Sequence, residues 1–155
     1  MRQAVHREIA RLLAQFRRLC SVAINKRLAV VGSSMTEFVV LMRLSEEEEV
    51  QQAELSYDAA IDPAAVSRLI RDMTKAGLVS TRVDPTDKRQ RFVKVSAKGR
   101  TLVRTLSPIV DSALAPYMAG LNVEEEQEFL RLLRKAYETV VQVAESEARG
   151  KAQSA

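Results

Sequence analysis

At 155 residues, 46% hydrophobic and 28% charged with a net charge of +4, the chain is sized for one domain with a substantial core. Its single Cys20 excludes an internal disulfide, and with the single His6 it leaves neither a His/Cys zinc set nor a base for a serine or cysteine nucleophile. No apolar run approaches the roughly 18 to 20 residues that span a bilayer, and the N-terminus is charged throughout, so a cytoplasmic protein without membrane, metal, cofactor or catalytic centre is expected.

Apolar residues recur at Val5, Ile9, Leu12, Phe16, Leu19 and Ala23, the 3-4 spacing of a long amphipathic helix, which Gly32-Ser33-Ser34 interrupts. Thr36 is a candidate cap for a second helix carrying Phe38, Leu41, Met42 and Leu44. The acidic run 45–49, SEEEE, reads as a hydrated loop. A short helix is expected over 51–59. Asp62-Pro63 then has the form of a cap followed by a first-turn proline. It opens a helix with Val66, Leu69, Ile70 and Met73 on one face and Ser67, Arg68, Arg71 and Lys75 largely on another. Gly77 is placed to end it in a left-handed conformation.

Beyond Gly77 the period changes. LVSTRV and RFVKVS are short, β-rich and partly alternating, and DPTDKRQ joins them, which predicts a hairpin with a loop longer than the two-residue kind. Ser96 is a candidate cap for a helix bearing Leu102, Val103, Leu106, Ile109, Val110, Ala113 and Leu114, with a bend expected at Pro108. Asn122-Val123-Glu124-Glu125 has the pattern of a capping box before a last helix carrying Phe129, Leu132, Leu133, Ala136, Tyr137, Val140 and Val141. The tail 149–155 is expected to fray.

Two helices across a tight turn followed by a hairpin make a winged helix-turn-helix. The fold class expected is mainly α with a small β-hairpin wing, flanked by long N- and C-terminal helices. The second helix of such a pair enters the DNA major groove, which admits a helix and displays a distinct hydrogen-bonding pattern for each base pair. Charge follows the same geography. Residues 62–104 carry 11 Lys/Arg against 4 Asp/Glu, net +7, whereas 1–61 balance and 105–155 carry net −3. A basic block of this kind is the footprint of a polyanion-binding surface. On the recognition helix, Ala64 and Ala65 allow close approach and suit a thymine methyl, Arg68 suits a bidentate contact to guanine, and Arg71 suits phosphate or a flanking base. Ser67 and Lys75 complete the exposed set. In the wing, Pro85 stiffens the turn, Asp84 and Asp87 are placed to accept backbone N–H bonds and to pair with an arginine, and Lys88, Arg89 and Arg91 are the cations for a phosphate-lined groove. The terminal stripes exceed what a lone winged module buries, so a two-fold homodimer on a palindromic operator is expected, with 1–33 and 105–148 as dimerisation helices and 36–104 as the DNA-binding part of one domain, 1–155.

The order Val66-Ser67-Arg68-Leu69, Gly77-Leu78-Val79, Asp84-Pro85-Thr86-Asp87-Lys88-Arg89 and Ser96-Ala97-Lys98-Gly99 resembles the central signature of the MarR family of bacterial transcription factors, closely over 36–104. The resemblance implies a homodimeric regulator, more often a repressor, with Arg89 at the wing tip in the minor groove and Asp87 orienting the wing. It also implies a small effector, often an aromatic acid or phenol, held between the dimer and DNA-binding parts. Two stretches depart from the pattern: SEEEE before the motif and SYDAAID within it.

Arg17, Arg18, Arg43 and Tyr57 are candidates to meet an anionic effector, although surface or interface roles are the commoner fate of such residues. Met35, Met42, Met73 and Met118 suit core filling. Some relatives sense peroxides through a cysteine in the first helix; the matching position here is close to Leu12. Cys20 lies instead beside the apolar stripe, where a buried, inert thiol is expected, and a redox-sensing regulator is an alternative. A winged-helix adaptor without DNA binding is another, which the net +7 block and Arg89 disfavour.

Overall fold

A computed structural model of the protein describes residues 2–59 and 61–153. The elements, in chain order, are α1 (Arg2–Val30), α2 (Met35–Glu46), β1 (Val50–Gln51), α3 (Glu54–Asp58), α4 (Pro63–Lys75), β2 (Val79–Val83), β3 (Arg91–Val95), α5 (Ala97–Met118) and α6 (Val123–Gln153). The strands form one antiparallel sheet in the order β1-β3-β2. With α3 and α4 as the helix pair and β2–β3 as the hairpin, this is a winged helix-turn-helix.

Local chemistry accounts for most boundaries. Asp62 caps α4, its carboxylate accepting from Ala65 N at 2.9 Å, and Pro63 follows where no N–H is needed. Gly77 ends α4 at φ 73°, a conformation that disfavours any side chain. Ser96 Oγ accepts from Gly99 N at 3.0 Å to open α5. At α6 the box is reciprocal: Asn122 Oδ1 accepts from Glu125 N and Glu125 Oε2 from Asn122 N, both at 2.9 Å.

Four expectations are corrected. The cap of α2 is Ser34, whose hydroxyl accepts from Glu37 N at 3.2 Å, and Thr36 lies inside the helix. The acidic run is not wholly a loop, because Ser45 and Glu46 still belong to α2, where the Ser45 hydroxyl donates to Leu41 O. The short helix starts at Glu54; Val50–Gln51 form instead a third strand, held by β3. Residues 149–153 continue α6, while 154–155 lie outside the described residues. α5 runs from Ala97 to Met118 with Pro108 inside it.

The chain divides into two units after Leu114. In the first, Val40, Leu41 and Leu44 of α2, Val50 of β1, Leu55 of α3, Val66, Ile70 and Met73 of α4, Val79 of β2, and Val93 and Val95 of β3 make one core beneath the wing. A second core joins Cys20, Ile24 and Leu28 of α1 to Phe38 of α2 and Leu106, Val110 and Ala113 of α5. Met35 N donates to Asn25 Oδ1, and Arg27 to the Ser112 hydroxyl, which pin α1 to α2 and α5. Only the last third of α1 enters a core. Val5, Ile9, Leu12, Leu13 and Leu19 remain 41–53% exposed. Met42 is likewise exposed rather than core filler. In the second unit, α6 carries Leu130, Leu132, Leu133, Val140 and Val143 at 40–63% exposure.

Candidate nucleic-acid interface

Along α4, Ala64, Arg68, Arg71 and Lys75 follow at intervals of four, three and four residues, so they share one stripe of the helix. It lies away from Val66, Ile70 and Met73, which are buried. Ala64, Arg68, Arg71 and Lys75 are exposed; Ala65 and Ser67 are half-buried. Lys75 has Asp72 at 4.0 Å. Among the described residues no carboxylate pairs with Arg68 or Arg71. The Ser67 hydroxyl donates to Pro63 O and accepts from Gln52 Nε2, each at 2.9 Å.

The wing loop, residues 84–90, is built by its two aspartates. Asp84 Oδ1 accepts from Thr86 N at 2.7 Å, from the Thr86 hydroxyl at 2.6 Å and from Asp87 N at 3.3 Å. Asp87 Oδ1 accepts from Arg89 N at 3.0 Å and from Arg89 Nε at 3.3 Å, and its other oxygen from Gln90 Nε2 at 3.3 Å. The ladder closes the loop from below through Asp84 N donating to Gln90 O at 3.0 Å. Arg89 is thus oriented at its root, yet its side chain stays 93% exposed. Lys88 and Arg91 are exposed and have no carboxylate partner among the described residues.

Both wing aspartates are held below the usual carboxylate range. For Asp84 the hydroxyl and N–H of Thr86 are responsible, and for Asp87 the N–H and guanidinium of Arg89. A carboxyl whose folded pKa is depressed contributes order above its unfolded value, about 3.9 for Asp, and loses it as pH falls through the folded value. The wing loop is therefore expected to keep its form through pH 4 and to loosen only in more acid solution. NMR titration of the two carboxyl carbons checks this; midpoints at or above about 3.9 contradict it.

Alternation along the sheet sorts the remaining cations. Val79, Thr81 and Val83 of β2 pair with Val95, Val93 and Arg91 of β3, which places Arg91 on the face that packs on the core but beyond the core's edge. Arg82 pairs with Phe92, and Lys94 with Ser80, on the opposite face. There the acidic run meets them. Glu49 takes Arg82 in a two-pronged pair, with Nε to Oε1 at 2.9 Å, and Glu48 takes Lys94 at 3.1 Å. The Arg82 guanidinium also covers the Phe92 ring at 4.3 Å and holds the Glu49 carboxyl below its usual range. These pairs join positions 33 and 46 residues apart in the chain. An acidic run facing a basic hairpin was the only sequence signal for them. Lys98 is also engaged: it donates to Ala76 O at 2.7 Å at the C-terminal end of α4, where a cation is favoured.

The other candidates separate clearly. Arg43 pairs with Glu47 at 2.7 Å, with Glu54 at 4.0 Å, so its charge is met by the protein itself. Arg17 and Arg18 are exposed on α1, and the Tyr57 side chain lies outside the described residues. Cys20 is buried, and burial pushes its thiol up, opposite to the shift that makes a reactive thiolate. No single helix among the described residues is long and apolar enough to cross a membrane.

A family model described as the MarR family matches residues 33–90. The HTH-type transcriptional repressor Rv2887 of Mycobacterium tuberculosis is 30% identical over 112 residues, covering 72% of this chain and 81% of that protein. Among solved structures, a MarR-family transcriptional regulator from Rhodococcus sp. RHA1 superposes with a TM-score of 0.75 at 25% identity, covering 86% of this chain and 95% of that one. Bordetella bronchiseptica BpsR, whose DNA binding is regulated by 6-hydroxynicotinic acid, does so with a TM-score of 0.71 at 25% identity, covering 84% and 98%.

Proposed function

The chain belongs to the MarR family of transcriptional regulators, and from that membership we propose a homodimeric repressor that grips a palindromic operator in the cytoplasm and is released by a small aromatic or phenolic ligand. The observation that carries the DNA-binding part is the pairing pattern. Cations on the outer face of the wing are matched by acids, while Arg68 and Arg71 on α4 and Lys88 and Arg91 in the wing have no carboxylate partner among the described residues, and Arg89 is held at its root with its side chain in the open.

In this reading residues 36–104 bind DNA. α4 lies in the major groove, with Ala64 and Ala65 against thymine methyls, Arg68 bidentate to guanine, Ser67 beside it, and Arg71 and Lys75 on phosphate or a flanking base. Arg89 enters the adjoining minor groove, Lys88 and Arg91 neutralise its phosphates, and Asp84 and Asp87 hold the loop in shape. Residues 1–33 and 105–148 form the dimer; the open apolar stripes on α1 and α6 support that role, since a second copy would cover them. Repression follows the description of the mycobacterial relative, and the ligand class follows the hydroxylated aromatic acid that acts on BpsR.

The test is binding to duplex DNA from upstream of the protein's own gene, measured across a salt series. A linear log–log dependence falling by about 0.9 per phosphate neutralised is expected, with weakening by 6-hydroxynicotinic acid or a related aromatic acid. Arg68→Ala is expected to relax base preference at one position per half-site by about 1 to 3 kcal/mol. Equal losses on every sequence would reassign Arg68 to phosphate.

A further inference from the structure

The hydrogen bonds around β1 form a continuous line from the recognition helix to the wing tip. Ser67 on α4 accepts from Gln52 Nε2 at 2.9 Å, and Gln52 N donates to the wing backbone at Arg91 O at 2.8 Å. The neighbouring Gln51 Nε2 donates to Gln90 Oε1 at 3.0 Å. Gln90 in turn donates from Nε2 to Asp87 Oδ2 at 3.3 Å and from its backbone N to Asp87 O at 2.9 Å. The other Asp87 oxygen holds Arg89 through its backbone N at 3.0 Å and its Nε at 3.3 Å. Strand pairing dictates this division of labour. Val50 lies opposite Val93 and Gln51 opposite Phe92, so the Gln51 side chain shares the outer face with Gln90, two residues before Phe92. Gln52 follows the strand's end and reaches α4.

We propose that Gln51 and Gln52 are positioning residues that fix where the Arg89 wing tip stands relative to the recognition helix, and so the spacing at which one subunit reads two neighbouring grooves. This rests on the DNA-binding roles proposed above. The direction of the line is chemically consistent. Its far end is a carboxylate, which only accepts, so Gln90 must turn its amide N–H toward Asp87 and leave its carbonyl for Gln51. Neither glutamine needs to touch DNA. The two amides add side-chain links between α4 and the wing tip to the apolar core that α4 and the hairpin already share beneath them. A hydrogen-bonded link between two otherwise rigid elements removes a relative motion that the complex would have to freeze on binding.

The test is a double-mutant cycle on the same upstream duplex, at salt low enough that Arg89→Ala still binds. Gln51→Met keeps the side-chain length and removes the donor. It is expected to lower affinity about 2- to 10-fold, the worth of a hydrogen bond of roughly 0.5 to 1.5 kcal/mol. In the Arg89→Ala background the same substitution is expected to change affinity hardly at all, because nothing is left for Gln51 to position. Gln52→Met is expected to behave in the same way against Ser67→Ala. Thermal unfolding of each variant reports fold loss, which would weaken binding equally in both backgrounds. A Gln51→Met protein that binds as the unaltered one does, or whose loss persists undiminished beside Arg89→Ala, overturns the inference while leaving the proposed function intact. Failure of the unaltered protein to bind the duplex with steep salt dependence removes both.

Discussion

Arg89→Ala is expected to weaken operator binding on the order of 30- to 700-fold, from about 1 to 2 kcal/mol at each of two wings. The side chain is 93% exposed and, among the described residues, its guanidinium bonds only through Nε to Asp87, so truncation leaves no buried partner stranded and no cavity. Stability should therefore be unchanged, and the loss should lie entirely in the complex. The slope of log affinity against log salt should fall by about one for each phosphate contact removed. Titrating upstream duplex at several salt concentrations, with circular dichroism as the control for folding, checks both parts. Arg89→Lys separates charge from shape: a narrow groove that selects a guanidinium will recover only part of the loss. An alanine variant with undiminished affinity at fixed salt would remove the wing from the interface.

Gly99→Ala is expected to destabilise the fold by about 3 kcal/mol, the upper part of the range for overpacking. Gly99 lies in the first turn of α5, directly over the hairpin. A Cβ there would run into the Leu78 carbonyl oxygen, stand 2.7 Å from Val95 Cγ2 and 3.3 Å from Leu41 Cδ2. Two of these obstacles belong to the core beneath the wing, and the third is backbone that already accepts from Ser96 N at 2.9 Å. None is the free end of a flexible side chain. For a chain of this size the loss corresponds to a fall in melting temperature of about 6 to 12 °C, compared at equal protein concentration because association shifts the midpoint. Gly120→Ala is the matched control, since nothing lies within 4 Å of a Cβ at Gly120. If both variants melted together with the unaltered protein, the close seat of α5 on the hairpin would be wrong.

What could be read from the sequence was what depends on near neighbours. Asp62-Pro63, Gly77, Ser96 and Asn122–Glu125 act within a turn of themselves, and each terminates or opens an element where its own chemistry requires. Thr36 cannot be told from the true cap by sequence, because Ser33, Ser34 and Thr36 all carry the same capping oxygen and the extended backbone of Ser34, at φ −138° and ψ 160°, is what presents it to Glu37 N. β1 was missed for a different reason. Two residues cannot show a period of two, and Val50–Gln51 become a strand only because β3 offers an edge more than 40 residues later. The acidic run reads as a hydrated loop in the sequence because its partners, Arg82 and Lys94, belong to a hairpin that the chain reaches only after α4. For the candidate site, the cationic residues of α4 and the wing loop were all legible. The amide line through Gln51, Gln52 and Gln90 was not, since glutamine carries no charge or periodicity to announce a long-range bond.

The carboxylates of Glu48 and Glu49 make the hairpin electrically one-sided. A wing cationic on both faces would be drawn to a polyanion whichever way it arrived, and an encounter with its back to the duplex would linger. Here the back is silenced by the chain's own acids. In the proposed complex, collisions from that side would carry little counterion-release advantage and would separate quickly. In the complex proposed above, this would give the molecule a handed approach to DNA, in which wrong landings are brief and the time spent scanning non-cognate sequence is shortened without any added contact to the cognate one.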